Sequence, residues 1–184
     1  GSNNIETNGE KSHGIVITDT GSALGTGTVT GGSYSFKTAG ESSATLYVKS
    51  GTLNLGSANN ITVSAAGDKS IGVYNDGGTV TLGAAGSTGT YTVGTNGVLL
   101  YNSGGGTLST AGTSFTVGDG SIFSIANGAG TKTNFTNANT LNLLSGSTGF
   151  IVDGTLGIPG YFSTYYTGLT ANMDVVLTSG ATLI

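Results

Sequence analysis

One phrase recurs along this chain and limits what it can become: a glycine or other small residue, then threonine, then usually Val or Leu. It stands at Gly27-Thr28-Val29, Gly51-Thr52-Leu53, Gly78-Thr79-Val80, Gly106-Thr107-Leu108, Gly130-Thr131-Lys132, Gly154-Thr155-Leu156 and Ala181-Thr182-Leu183. The threonines are 24, 27, 28, 24, 24 and 27 residues apart. Self-similarity at such a period marks a stacked architecture, in which each repeat buries its apolar face against its neighbours.

The parts around each anchor return in order. Before it comes a short apolar run, as in Ile71-Gly72-Val73-Tyr74, Val98-Leu99-Leu100-Tyr101 and Ile122-Phe123-Ser124-Ile125. A tight turn joins run to anchor, as in Asn75-Asp76-Gly77-Gly78 and Asn127-Gly128-Ala129-Gly130, built from residues that accept positive φ. After the anchor comes a further run, such as Ile61-Thr62-Val63, Tyr91-Thr92-Val93, Phe115-Thr116-Val117 or Leu141-Asn142-Leu143, and a second turn such as Gly118-Asp119-Gly120-Ser121. The runs alternate with period two and favour Val, Ile, Thr, Tyr and Phe, so they read as half-buried strands. Nothing repeats at helical spacing. Strands this short must pair with their equivalents in the next repeat, which makes them parallel, and parallel crossovers are overwhelmingly right-handed. The expected fold is therefore all-β, a right-handed parallel β-helix of about six to seven coils of 24–28 residues, roughly 30 Å tall at strand spacing.

Residues 14–184 are expected to form this solenoid. Residues 1–13 read as a cloning scar (Gly1-Ser2) and a ragged N-terminal segment, and the apolar ending Thr182-Leu183-Ile184 reads as a cut from something longer. One stretch departs from the pattern. Residues 157–170 hold the only proline, Pro159, and the aromatics Tyr161, Phe162, Tyr165 and Tyr166, where an aromatic turn with a helical bend is expected to replace the third strand of its coil.

Alternation assigns faces. With Val29, Leu53, Val80, Leu108, Leu156 and Leu183 inward, the anchor threonines point outward. With Leu46, Val73 and Leu100 inward, Tyr47, Tyr74 and Tyr101 point outward, 27 residues apart each time, as a ladder. Tyr91 and Phe115 belong to an inward aromatic stack.

Composition removes several functions. Charged residues are 8%, net charge is -4, and 36% of residues are apolar, so the chain folds and Ser, Thr, Asn and Gly supply its polar surface. All five basic residues are lysines. Without arginine or a basic cluster, nucleic acid is not an expected partner. There is no cysteine, one histidine and no apolar run long enough to span a membrane, so neither a disulfide framework, a thiolate or histidine metal cluster, nor membrane contact is expected.

An enzyme would need converging acids. Asp68 and Asp119 fall at equivalent turns two coils apart, roughly 10 Å by strand spacing, and turn formation accounts for both. His13-Gly14 matches two residues of the polygalacturonase pattern and lacks the rest. Gly118-Asp119-Gly120-Ser121-Ile122 resembles one calcium-binding nonapeptide, without the nine-residue repetition that such rolls need. No catalytic residue, metal site or cofactor is expected.

Two surface arrays and the aromatic interruption are the candidate contact sites. Tyr47, Tyr74 and Tyr101 can meet a sugar or partner, or simply stack on one another. Each anchor threonine has a polar residue two further on (Thr28/Thr30, Thr52/Asn54, Thr79/Thr81, Thr107/Ser109, Thr131/Thr133), an arrangement used by ice-binding solenoids. Tyr161, Phe162, Tyr165 and Tyr166 either form a binding patch or fold over the column to cover apolar surface.

Phrases such as Ser70-Ile71-Gly72-Val73-Tyr74-Asn75-Asp76-Gly77-Gly78-Thr79-Val80-Thr81-Leu82 and Gly97-Val98-Leu99-Leu100-Tyr101-Asn102 are similar to those of large autotransporter adhesins, and residues 14–184 as a whole resemble the passenger region of a Gram-negative autotransporter. The resemblance implies secretion through a C-terminal outer-membrane barrel and display at the cell surface, and it does not imply what is bound. The expected role is adhesion, as stalk or binding region, by a monomer without enzymatic activity, toward a host or bacterial surface protein or glycan. A polysaccharide-degrading β-helix enzyme and an ice- or surface-binding Thr array are the alternatives.

Overall fold

The computed structural model describes residues 2–19, 24–152 and 163–183. Strand accounts for 56% of the chain and helix for 4%, far above the usual strand share. Every described ladder is parallel, and the strands make three sheets that the chain visits in rotation. The first holds β1 (Ser2–Thr7), β4 (Ser33–Thr38), β7 (Asn60–Ala65), β10 (Thr88–Val93), β13 (Thr113–Val117), β16 (Asn139–Leu143) and β19 (Met173–Leu177). The second holds β2 (Ile15–Ile17), β5 (Ala44–Val48), β8 (Ile71–Asp76), β11 (Val98–Ser103), β14 (Ile122–Ala126) and β17 (Thr148–Val152). The third holds β3 (Thr26–Thr30), β6 (Thr52–Ser57), β9 (Thr79–Thr81), β12 (Thr107–Thr110), β15 (Lys132–Phe135) and β18 (Tyr166–Thr167). This is the parallel β-solenoid read from the repeat, with about 5 turns rather than six to seven.

The count differs because the anchors are not all equivalent. Thr52, Thr79 and Thr107 do align, but their partners at the two ends are Thr26 and Lys132, not Thr28 and Thr131. Connections of unequal length cause the slip: from aligned positions of the second sheet, Asn75 to Thr79, Asn102 to Thr107 and Ala126 to Lys132 are steps of four, five and six residues. Thr131 and Thr133 are consequently buried, at 1% and 0% exposure, and do not join the outward array. Thr182 bridges Thr148 in the second sheet, so it does not open a further third-sheet rung, and Leu183 is exposed rather than inward. Residues 155 and 156 lie outside the described residues.

The solenoid also starts earlier than residue 14. Strand β1 begins at Ser2 and keeps register with β4 along its whole length. The aromatic interruption does not cost its coil the strand after the anchor: that strand is β19, paired with β16 along Asn139–Leu143, and Tyr166 and Thr167 form β18 of the third sheet, paired with Thr133 and Asn134 of β15. Residues 163–165 form a helical turn ahead of it, and the short helix α1 (Leu169–Asn172) leads into β19.

Inside the column, like stacks on like. Leu46, Val73 and Leu100 are fully buried, as are Leu53, Val80 and Leu108. Tyr91, Phe115 and Phe123 form an aromatic file with ring centroids 5.6 and 5.0 Å apart, and Phe123 meets Phe150 edge-on at 5.2 Å. The second sheet breaks strict alternation, because Leu99 and Leu100 are both fully buried. Gly72, one rung below, makes room: a Cβ there would lie 2.7 Å from both the Leu99 Cδ1 and its carbonyl oxygen. Among the described residues one buried side-chain polar atom, Thr7 Oγ1, has no hydrogen-bond partner, and the asparagines of the second sheet are paired. Asn75 Nδ2 donates to Asn102 Oδ1 at 2.9 Å and to the Gly78 carbonyl at 3.0 Å, and Asn102 Nδ2 donates to the Lys132 carbonyl at 2.9 Å.

Candidate functional site

Each sheet has an outward face, and the three faces differ in chemistry. On the second sheet the register aligns Val16, Tyr47, Tyr74, Tyr101, Ile125 and Ile151 in one column. The tyrosines form the expected ladder, but they spend their ring faces on each other. Tyr47 and Tyr74 stack at 4.9 Å and 19°, and Tyr74 meets Tyr101 edge-on at 5.1 Å and 79°. His13 tilts against Tyr47 at 5.4 Å, while its Nδ1 accepts the Ala44 amide at 3.1 Å. Burial foremost, with Asp76 behind it, raises the Tyr74 phenol above its ordinary pKa. Tyr47, Tyr74 and Tyr101 are half-buried, and the Tyr101 hydroxyl accepts from Asn127 Nδ2 at 3.5 Å.

Of the aromatic interruption, Tyr161 and Phe162 lie outside the described residues. Tyr165 and Tyr166 are buried, at 4% and 3% exposure, so they do not form an exposed patch. Tyr166 packs edge-on against Phe150 at 5.0 Å and gives its hydroxyl to Ser124 Oγ at 3.1 Å. Burial raises its pKa, partly offset by that bond. These rings cover the core where the coil changes path, the second of the two roles expected for them. A shallow hollow of about 350 Å³ lies beside them, lined by Ser163, Tyr166, Thr167, Gly168, Leu169 and Thr170.

The third sheet carries the outward Thr array, with Thr52, Thr79 and Thr107 in one column and Asn54, Thr81 and Ser109 in the next. It is interrupted by Lys132 at one end and by a register shift between Thr28 and Thr30 at the other.

A longer array, which the anchor-centred reading missed, stands on the first sheet. Ser35, Thr62, Thr90, Ser114 and Thr140 form one outward column, and Ser64, Thr92, Thr116 and Asn142 form the central part of a second. All are half-buried or exposed, and the inward partners between them are core residues such as Val63, Tyr91, Phe115 and Leu141. The signal was legible as Thr-x-Ser, Thr-x-Thr, Ser-x-Thr and Thr-x-Asn centred on those apolar residues. Charge appears only at the borders, as the Glu6–Lys37 pair at 3.1 Å and as Asp174.

Of the turn acids, Asp68 is held by its neighbours. Asn96 Nδ2 donates to Asp68 Oδ1 at 2.8 Å, and Lys69 Nζ lies 3.3 Å from Glu41 and 3.7 Å from Asp68. The Asn96 hydrogen bond, foremost, holds Asp68 below its ordinary pKa, the opposite of what a general acid needs. Thr95 occupies the rung between Asp68 and Asp119. Among the described residues no group of three or more His, Cys, Asp or Glu could hold a metal ion, and no helix is long and apolar enough to cross a membrane. The fold and these faces define a parallel β-solenoid with extended, repetitive surfaces. Comparison with family models, curated proteins and solved structures returns no match.

Proposed function

We propose that this chain is a surface-displayed passenger segment that serves adhesion, as stalk or binding region, carried outside the cell by an outer-membrane barrel. The observation that carries the reading is the repetition of side-chain chemistry from rung to rung. The second sheet presents an outward Tyr and Ile column over five successive rungs, from Tyr47 to Ile151, and the first sheet presents hydroxyls over at least as many. Repetition of this kind suits contact summed along a length, whereas catalysis requires unlike groups brought together at one point. The turn acids support the non-enzymatic reading, since Asp68 is tied up by Asn96 and Lys69. A rigid column also supplies reach, which a stalk needs whether or not it touches the partner itself.

Beads coated with the purified chain test the proposal against beads coated with an unrelated β-solenoid of similar length. Saturable attachment to host or bacterial cells, competed by free chain, is the expected result. Attachment equal to that of the control beads overturns a binding role and leaves only that of a spacer.

A further inference from the structure

We infer that the outward face of the first sheet is a docking surface for a neutral, hydroxyl-rich polysaccharide lying along the column. The inference deepens the adhesion reading by naming a ligand class and a face for it. Four features of that face carry it.

The first is order. From β4 to β16 the ladder runs without a register shift, so outward side chains recur at about 4.8 Å, the spacing of parallel strands and close to the length of one pyranose unit. The second is what the eight central positions have in common. Thr62, Thr90, Ser114 and Thr140 in one column and Ser64, Thr92, Thr116 and Asn142 in the other keep a hydroxyl at every position but Asn142, which has an amide. The methyl group is given up at Ser64, Ser114 and Asn142. A rigid apolar or ice-like lattice would read the methyls; a polyhydroxylated ligand reads hydroxyls and amides, and tolerates serine.

The third feature is availability. Thr62, Ser64, Thr90, Ser114, Thr116 and Thr140 make no side-chain hydrogen bond within the described chain, whereas the buried Thr38, Thr110 and Thr113 all do. Each free hydroxyl can donate one bond and accept others, which matches the mixed donor and acceptor character of sugar hydroxyls. The fourth is charge. No ionisable group stands on the columns between the Glu6–Lys37 pair and Asp174, so nothing there recruits an anionic or cationic polymer. The face also lacks an aromatic ring on which a single sugar could stack. Each rung therefore contributes little by itself, and binding depends on the length of polymer engaged.

Affinity electrophoresis in gels containing a neutral β-glucan, a neutral mannan or the anionic alginate tests the inference, with glucose as competitor. The expected result is retardation by at least one neutral polymer, none by alginate, and no competition by glucose. The variant T90V/T92V/T116V keeps the β-branched shape that suits a strand and removes three hydroxyls; its affinity is expected to fall about tenfold or more. T90S/T92S/T116S keeps the hydroxyls and is expected to bind like the parent, as is T79V/T107V on the third sheet. If the valine variant misfolds, methyl NMR shifts of Thr62, Thr90, Thr92 and Thr116 in the parent chain on adding the polymer give the same answer. Retardation by alginate alone, none by either neutral polymer, or equal retardation of the valine variant and the parent overturns the inference. Attachment of chain-coated beads to cells without retardation by either neutral polymer overturns it too, while leaving the adhesion reading standing.

Discussion

Replacing Leu100 by alanine tests the assignment of inside and outside most directly. Leu100 is fully buried in β11, with Val73 on the rung below and Ser124 on the rung above. Leucine-to-alanine changes in cores cost about 2–5 kcal/mol, and the cost rises with the cavity that stays open. Here the cavity has little means to close. The strands on both sides are held in register by parallel hydrogen bonds, and Ser124 is too small to fill the space. The upper part of that range, about 3–5 kcal/mol, is therefore expected. For a domain of this size each kcal/mol corresponds to about 2–4 °C of melting temperature, so the midpoint should fall by roughly 6–20 °C. The loss should also be local, since each coil touches only its neighbours. Thermal melts followed by far-UV circular dichroism give the magnitude, and amide hydrogen exchange gives the place, with protection falling most in β8, β11 and β14. Thr92→Ser on the outward face is the control and should change stability by less than about 0.5 kcal/mol. If the two variants melt together, the inward and outward faces are reversed and Leu100 does not belong to the core.

Three other outcomes follow from the same structure. Asn102→Ala should cost about 2–3 kcal/mol, because it removes the acceptor of Asn75 Nδ2 and leaves the Lys132 carbonyl without that donor; a urea titration showing less than about 0.5 kcal/mol would mean water replaces the amide. Gly72→Ala should destabilise by about 1–3 kcal/mol through overpacking, since its Cβ meets the Leu99 backbone oxygen, whereas an ordinary strand glycine would gain from alanine; a raised melting temperature contradicts this. Burial raises the phenol pKa of both Tyr91 and Tyr166, so the stability they contribute is complete below the ordinary value of 10.0 and is lost as pH rises above it. Alkaline unfolding should accordingly begin above about pH 10, with phenolate absorbance from these two rings appearing only with loss of the sheet signal. Their ionisation in a chain that keeps its sheet signal would refute the burial.

The repeat was legible because a solenoid writes its architecture into the sequence at short range. Val80, Leu108 and Val73 had to be apolar in a period-two context, and Gly77 and Gly104 had to allow the left-handed turns they adopt, so strands, turns, parallel pairing and most of the core could be read from the residues alone. The Tyr47, Tyr74 and Tyr101 ladder followed from their common interval. What remained hidden depends on register, which the threonine anchors alone could not supply. Each connection absorbs a different number of residues, so Thr131 and Thr133 face the core while Lys132 takes the outward place. Leu99 turns inward beside Leu100 only because Gly72 leaves it space on the next rung. The aromatic segment looked like a loss of strand pairing, yet Tyr166 both pairs with Thr133 and covers Phe150, since the energy of burying a ring outweighs the regularity of the repeat. The first-sheet hydroxyl face was spelled out in the runs themselves, but only the stacking of one coil on the next turns scattered Thr-x-Thr pairs into a surface.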